Sequence, residues 1–338
     1  MTSHESAGSP VIDIHAHTTP QRFRAAIESD GSWHGLGPEF GELENPKNLL
    51  SPEERLQEMD RLGVDIQALS STDCFYQYDN DPATTQAIAR DANDELAEIH
   101  EQHPDRYLGL GTLPMQDVPA AVSELQRIME ELGLQGVMID DHVRNKTYEL
   151  DEFLPFWEAA EALGAVVFFH QYAPTVVTYR TTSWFLPNSI GNLVDRAITF
   201  GTLVFGGVMD RFPELKVCLG HAGGYASFGV DRMDKGWEAA ALDYMPDEPR
   251  RRIQKAPSEY LGDFYYDSVT YKESTLRFLI DRVGIDQVVF GTDYPAPMVV
   301  ADAVNWIRSL PSLTSEEKEA ILCHNPARLL GMSQPSGD

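Results

Sequence analysis

The stretch of this 338-residue chain with the clearest chemistry is Asp13-Ile14-His15-Ala16-His17. It completes a short apolar run, Val11–His15, that reads as a β-strand. Side chains alternate along a strand, so Asp13, His15 and His17 share one face while Ile12 and Ile14 pack on the other. Neutral imidazole is the commonest side-chain ligand for a divalent metal, and two imidazoles side by side at a strand end make chelation the simplest use. Three more runs end in a titratable group: Val166-Val167-Phe168-Phe169-His170, Val217-Cys218-Leu219-Gly220-His221 and Val289-Phe290-Gly291-Thr292-Asp293. Singly, His170 or His221 would read as a hydrogen-bonded core histidine, and Asp293 before Tyr294-Pro295 as a turn residue. As a set they place five candidate groups at strand ends, where one barrel mouth would gather them.

The elements that must do the gathering are legible as short apolar or β-branched runs, each followed by a helical pattern, which is the mark of a parallel sheet with crossover helices. The strands expected are Val11–His15, Asp65–Leu69, Tyr107–Gly111, Gly136–Ile139, Ala165–Phe169, Lys216–Leu219, Phe264–Asp267 and Gln287–Phe290. Helices are expected over Pro52–Leu62, Pro82–Gln102, Ala120–Leu132 and Phe153–Leu163, the first opened by a Ser51/Glu54 capping box, with Gly63, Gly133 and Gly164 as caps. Eight such units most simply close into an α/β, (β/α)8 TIM barrel, with a doubly wound open sheet as the alternative. One domain over residues 1–338, with a folded core of 10–331, accounts for the chain. Two inserts, Gln171–Asn192 and Ala239–Leu261, follow strand ends and are expected as loops at the C-terminal face; Asp30–Leu50 is expected to cover the same mouth, and Ser333–Asp338 to fray.

Composition sets the outer limits. With 42% hydrophobic and 23% charged residues the chain is ordinarily globular, and no apolar run approaches the roughly 18 residues of a membrane span. The polar start Met1–Pro10 has no signal-peptide core, so a cytoplasmic location is expected. A net charge of −27 argues against nucleic acid or an anionic membrane as partner, since both need a basic face. It also repels an anionic small-molecule substrate, which local arginines or a metal must then attract. Cys74, Cys218 and Cys323 form no CxxC pair and suggest neither disulfides nor a cysteine zinc site.

The strand-end motifs, together with Gly109–Gln116 (GLGTLPMQ), Gly206–Cys218 (GGVMDRFPELKVC), Gly220–Gly224 (GHAGG) and Gly291–Pro295 (GTDYP), resemble the amidohydrolase superfamily, and within it the amidohydrolase-2 branch. The resemblance spans nearly the whole chain and is nearest to the decarboxylases of that branch that act on 2-amino-3-carboxymuconate 6-semialdehyde. It implies a barrel with one divalent metal, zinc first and manganese second, held by the positions matching His15, His17, His170 and Asp293. The position matching His221 would be a catalytic base. None of the seven lysines ends a strand, which disfavours the lysine-bridged two-metal centres of related hydrolases. Three imidazoles and one carboxylate leave coordination sites open, and a divalent ion brings the pKa of a coordinated water near neutrality, within reach of a neutral His221.

Decarboxylation requires a proton for the carbon that carboxylate leaves, from Asp293 or coordinated water. In the resembled decarboxylases two arginines bind the substrate carboxylate, one across a dimer interface. Arg232 matches that one, which implies a homodimer or larger assembly, whereas Leu43–Asn48 has no arginine for the other. The expected substrate is therefore another aromatic or muconate-type acid. Arg180 is a further carboxylate partner, and Trp184, Phe185, Leu186, Tyr172 and Tyr294 are candidate walls, with core or interface packing as the competing reading of each aromatic. Two alternatives use the same residues: a metal-dependent hydrolase or hydratase acting on a C–C, amide or lactone bond, and a non-catalytic barrel with a structural metal.

Overall fold

The computed structural model describes residues 9–41, 43–172, 180, 182–239, 253–300 and 302–332. The middle of both inserts and the tail from Ser333 lie outside the described residues. Eight parallel strands run in chain order: β1 (Ile12–Thr18), β2 (Ile66–Ser71), β3 (Tyr107–Gly111), β4 (Gly136–Ile139), β5 (Val166–Phe169), β6 (Lys216–Leu219), β7 (Tyr265–Asp267) and β8 (Val288–Val289). That order excludes the doubly wound alternative, in which the strand order reverses at a switch point. Backbone bonds from Ile14 N to Phe290 O (3.0 Å), from Asp293 N to His15 O (2.9 Å) and from His17 N to Tyr294 O (2.7 Å) bring the chain after β8 back onto β1. The sheet curls onto itself.

The helices between strands include α1 (Gln21–Asp30), α2 (Pro52–Leu62), α3 (Pro82–Gln102), α4 (Val118–Glu130), α5 (Leu154–Leu163), α6 (Leu193–Phe205), α7 (Val208–Arg211), α8 (Ala226–Ala239) and α9 (Glu273–Val283). The Ser51/Glu54 capping box is formed, and Gly63 and Gly164 end α2 and α5 in the left-handed conformation that glycine adopts freely. α4 begins two residues earlier than expected, at Val118 beside Pro119, because the Asp117 carboxylate caps it at Ala120 N, and Gly133 lies beyond its end. Helices cover the sheet from outside, so β5 is buried along its length as an unbroken apolar run. Each such fully buried side chain contributes about 1.5–3 kcal/mol relative to exposure. A smaller cluster of Phe23, Trp33, Leu36, Cys74, Phe75, Ile88 and Ala92 anchors the Asp30–Leu50 segment beside the barrel. No helix among the described residues is long and apolar enough to cross a membrane.

Two local departures from regularity bear on chemistry. The register between β1 and β2 shifts between Asp13 and Ala16, so that Ile14 and His15 of β1 stand against Ala68 of β2. Bulges of this kind re-aim side chains beside active sites. Gly291 leaves room where a side chain would collide, for a Cβ there would stand 2.8 Å from the His15 Cβ and 3.0 Å from the Asp267 Cβ.

Candidate active site

At the carboxyl ends of β1, β5 and β6 and just beyond β8, ligand atoms of His15, His170, His221 and Asp293 all lie within 4.8 Å of one another. His17 joins them, its Nε2 being 3.1 Å from His15 Nε2 and 3.2 Å from Asp293 Oδ1. All five candidate groups thus converge. Asp13 shares the buried interior but not the cluster: its carboxylate accepts from Gln67 Nε2 (2.9 Å), Thr292 Oγ1 (2.7 Å) and the backbone N–H groups of His15 and Thr292 (both 3.1 Å).

The histidines differ in what lies behind them. His15 donates through Nδ1 to Asp267 Oδ2 at 2.6 Å, which leaves Nε2 directed into the cluster. Ser70 Oγ donates to Ala16 O (3.1 Å) and sits 3.2 Å from His17 Nδ1, so that ring too presents Nε2. His170 Nδ1 lies 3.5 Å from the Asp73 carboxylate. Neither His170 nor His221 has a hydrogen-bond partner at Nδ1. Asp293 divides its two oxygens: Oδ1 faces His15 (3.3 Å), His17 (3.2 Å) and His170 (3.9 Å), and Oδ2 faces His221 Nε2 (3.5 Å).

Electrostatics follow from this crowding. Burial opposes a charge on His15, but the charge of Asp293 and hydrogen bonds to Asp267 and Asp293 outweigh it and push the imidazole up to about 10. Burial would raise Asp293, yet His15 above all holds its carboxyl well below the usual range. His17 and His170 are lowered, chiefly by burial. His221, Ala222 and Asp293 adopt left-handed backbone conformations (φ 53°, 57° and 61°). Non-glycine residues held there cost on the order of 1–3 kcal/mol each and concentrate at functional sites.

Sequence reasoning missed Asp267. The signal was present, because Phe264–Asp267 is itself an apolar run closing on a carboxylate.

Two cavities flank the cluster. One, of about 630 Å³, opens beside His221 and is walled by Tyr225, Phe228, Val269, Phe278, Leu279 and Met298. The other, of about 900 Å³, lies towards Asp73 and is bordered by Tyr172, Lys47 and residues of the Asp30–Leu50 segment. None of Arg180, Arg232, Trp184, Phe185 and Tyr294 lines either cavity. For Tyr294 this corrects the expectation of a wall. Tyr294 is buried, and its ring packs against the Arg55 guanidinium at 4.8 Å. Trp184 and Phe185, at left-handed φ, are 78% and 55% exposed, and they form no wall of either cavity in this chain. Arg180 is exposed, and Arg232 is exposed on α8 one turn beyond Phe228.

Comparison with known proteins agrees with this architecture. The chain is 33% identical over 336 residues to the 2-amino-3-carboxymuconate-6-semialdehyde decarboxylase of Dictyostelium discoideum, covering 95% of this chain and 91% of that one. The crystal structure of 5-carboxyvanillate decarboxylase from Sphingomonas paucimobilis superposes with a TM-score of 0.83 at 28% identity, over 96% of this chain and 100% of that one. A dihydroxybenzoic acid decarboxylase from Polaromonas, solved with bound manganese and 2-nitroresorcinol, shares the fold with a TM-score of 0.78 at 24% identity, over 96% and 97% of the two chains. The amidohydrolase family profile matches residues 12–332, and the chain belongs to that family.

Proposed function

We propose that this protein is a metal-dependent nonoxidative decarboxylase of an aromatic or muconate-type carboxylic acid. One divalent ion would be held by His15, His17, His170 and Asp293, with His221 handling the proton. The observation that carries this division is the split of Asp293, whose Oδ1 faces three imidazole Nε2 atoms and whose Oδ2 faces His221 alone. The donor set fits a metal, since three rings turn Nε2 to one point and two of them, His15 and His17, are held by hydrogen bonds at Nδ1. A three-imidazole, one-carboxylate set suits zinc and accepts manganese. A bound divalent ion would supply a Lewis acid able to bind and polarise the substrate carboxylate.

The chain's own residues do the rest. The cavity beside His221 would take a flat ring against Phe228, Phe278 and Leu279. A proton delivered from His221 Nε2, which stands 3.5 Å from Asp293 Oδ2, passes to the ring carbon that bears the carboxylate. The carbon–carboxylate bond then breaks, its electron pair re-forms the π system, and carbon dioxide leaves. Arg232, exposed on α8 one turn beyond Phe228, would meet a substrate carboxylate from a second copy of the chain, making the working form at least a dimer. Residues 1–338 would act as one barrel unit.

The test is a screen of hydroxybenzoates, carboxyvanillates and muconate semialdehydes against metal-loaded protein, following carbon dioxide and ultraviolet absorbance. Release of one carbon dioxide per substrate consumed is expected. Opening of a lactone or amide without carbon dioxide would replace this reading with a hydrolase.

A further inference from the structure

We infer that Asp267 is a positioning residue that serves both halves of the site: it fixes the ring nitrogen with which His15 meets a metal, and it holds the turn that carries His221. The inference rests on the metal-binding reading above. One fully buried carboxylate takes four donors. Oδ2 accepts from His15 Nδ1 (2.6 Å) and His221 N (2.8 Å), and Oδ1 accepts from Ala222 N (2.7 Å) and Val269 N (3.1 Å). A carboxylate offers about four lone-pair positions, so Asp267 has none left for substrate or ion. Its effect passes through its neighbours.

The two roles separate chemically. For His15, an acceptor at Nδ1 keeps the hydrogen there and leaves the Nε2 lone pair facing His17 and Asp293. For His221, the two backbone N–H groups that Asp267 holds belong to consecutive residues at φ 53° and 57°, a conformation that side-chain-bearing residues keep only under external restraint. Gly291 lets the two partners approach, since a Cβ there would stand 2.8 Å from the His15 Cβ and 3.0 Å from the Asp267 Cβ.

Asp267→Asn separates this role from simple turn support. The amide oxygen can still accept from Ala222 and Val269, so most of the turn survives. The amide nitrogen then faces His15 Nδ1 and donates to it, which moves the ring hydrogen to Nε2, where it blocks ligation. Asp267→Ala removes the turn's acceptor altogether but leaves His15 free to choose its tautomer. Stability should therefore fall in the order wild type, Asn, Ala, and metal affinity in the different order wild type, Ala, Asn.

The measurement is a titration of metal-stripped full-length protein with Zn²⁺ and Mn²⁺ against a chromogenic competing chelator, beside urea midpoints. Asp267→Asn is expected to weaken metal binding roughly 10–100-fold, the range for groups that orient a ligating histidine, and Asp267→Ala to weaken it less. Metal affinity that follows the urea midpoints, or that does not change, shows Asp267 to be turn support only and overturns the inference. Wild-type protein that binds neither ion overturns the metal-binding reading first and this one with it. Where the alanine variant does not fold, Asp267→Ser takes its place, with the same ranking expected.

Discussion

The floor of the site and the outer face of α2 carry the same kinds of charge in opposite surroundings. At the floor, Asp293, Asp267 and His15 are almost wholly buried, and each lies against another titratable group. On α2, Glu58 pairs with Arg61 (2.8 Å) and Lys47 (3.2 Å), and the cations are largely exposed. Both regions shift pKa values: His15 goes up to about 10, and Glu58 is held at about 2, first by its hydrogen bond from Arg61. The shift alone does not tell a working group from a surface pair. What distinguishes the floor is burial, so that removing one group there strands another. The outer face loses only what solvent has already screened.

Replacing both His15 and His17 by alanine is the largest perturbation of the floor, since it deletes half of the proposed ligands. Elemental analysis should find little bound metal in a folded protein, with turnover at background. Stoichiometric metal in that variant would place the ion elsewhere.

His221→Ala sharpens the division within the floor. It should retain the metal while kcat falls roughly 10²–10⁴-fold, the usual contribution of a positioned proton-transfer group. Loss of metal instead would move His221 into the ligand set. The same variant tests assembly: mixed with Arg232→Ala, it forms heterodimers in which one site carries both lesions and the other neither, so up to about half of those sites should work. No recovery of activity after subunit exchange would confine Arg232 to its own chain.

Why the floor was legible and the walls were not follows from what sets each. His15, His17, His170, His221 and Asp293 close apolar runs, and strand alternation with barrel convergence is enough to bring them together. The same rule applied to Phe264–Asp267 brings in Asp267, but it does not reach Tyr294, because Asp293 is left-handed and lies beyond the end of β8. The bulge at His15 depends on its register with β2, a partner some 50 residues away, and leaves no local mark. Trp184 and Phe185 looked like walls by composition. Their exposure depends on left-handed turns in a loop, which no periodicity encodes.

The smallest effect expected is on the outer face, with Glu58→Gln. Because the folded-state pKa of Glu58 lies below its ordinary value of 4.5, its ionised form is favoured by folding. The stability it contributes is fully present above pH 4.5 and is lost as pH falls through about 2. Water and salt screen the pair, so the contribution is about 1 kcal/mol or less and shrinks further with added salt. Urea midpoints of wild type and Glu58→Gln should therefore differ slightly at neutral pH, converge towards pH 2, and show the same metal content and turnover throughout. A variant that lost metal or activity would mean that charge on α2 is felt at the floor through Arg55, which lies on the same helix and donates to His17 O at 2.7 Å. The contrast between the two regions would then fail at that one buried arginine.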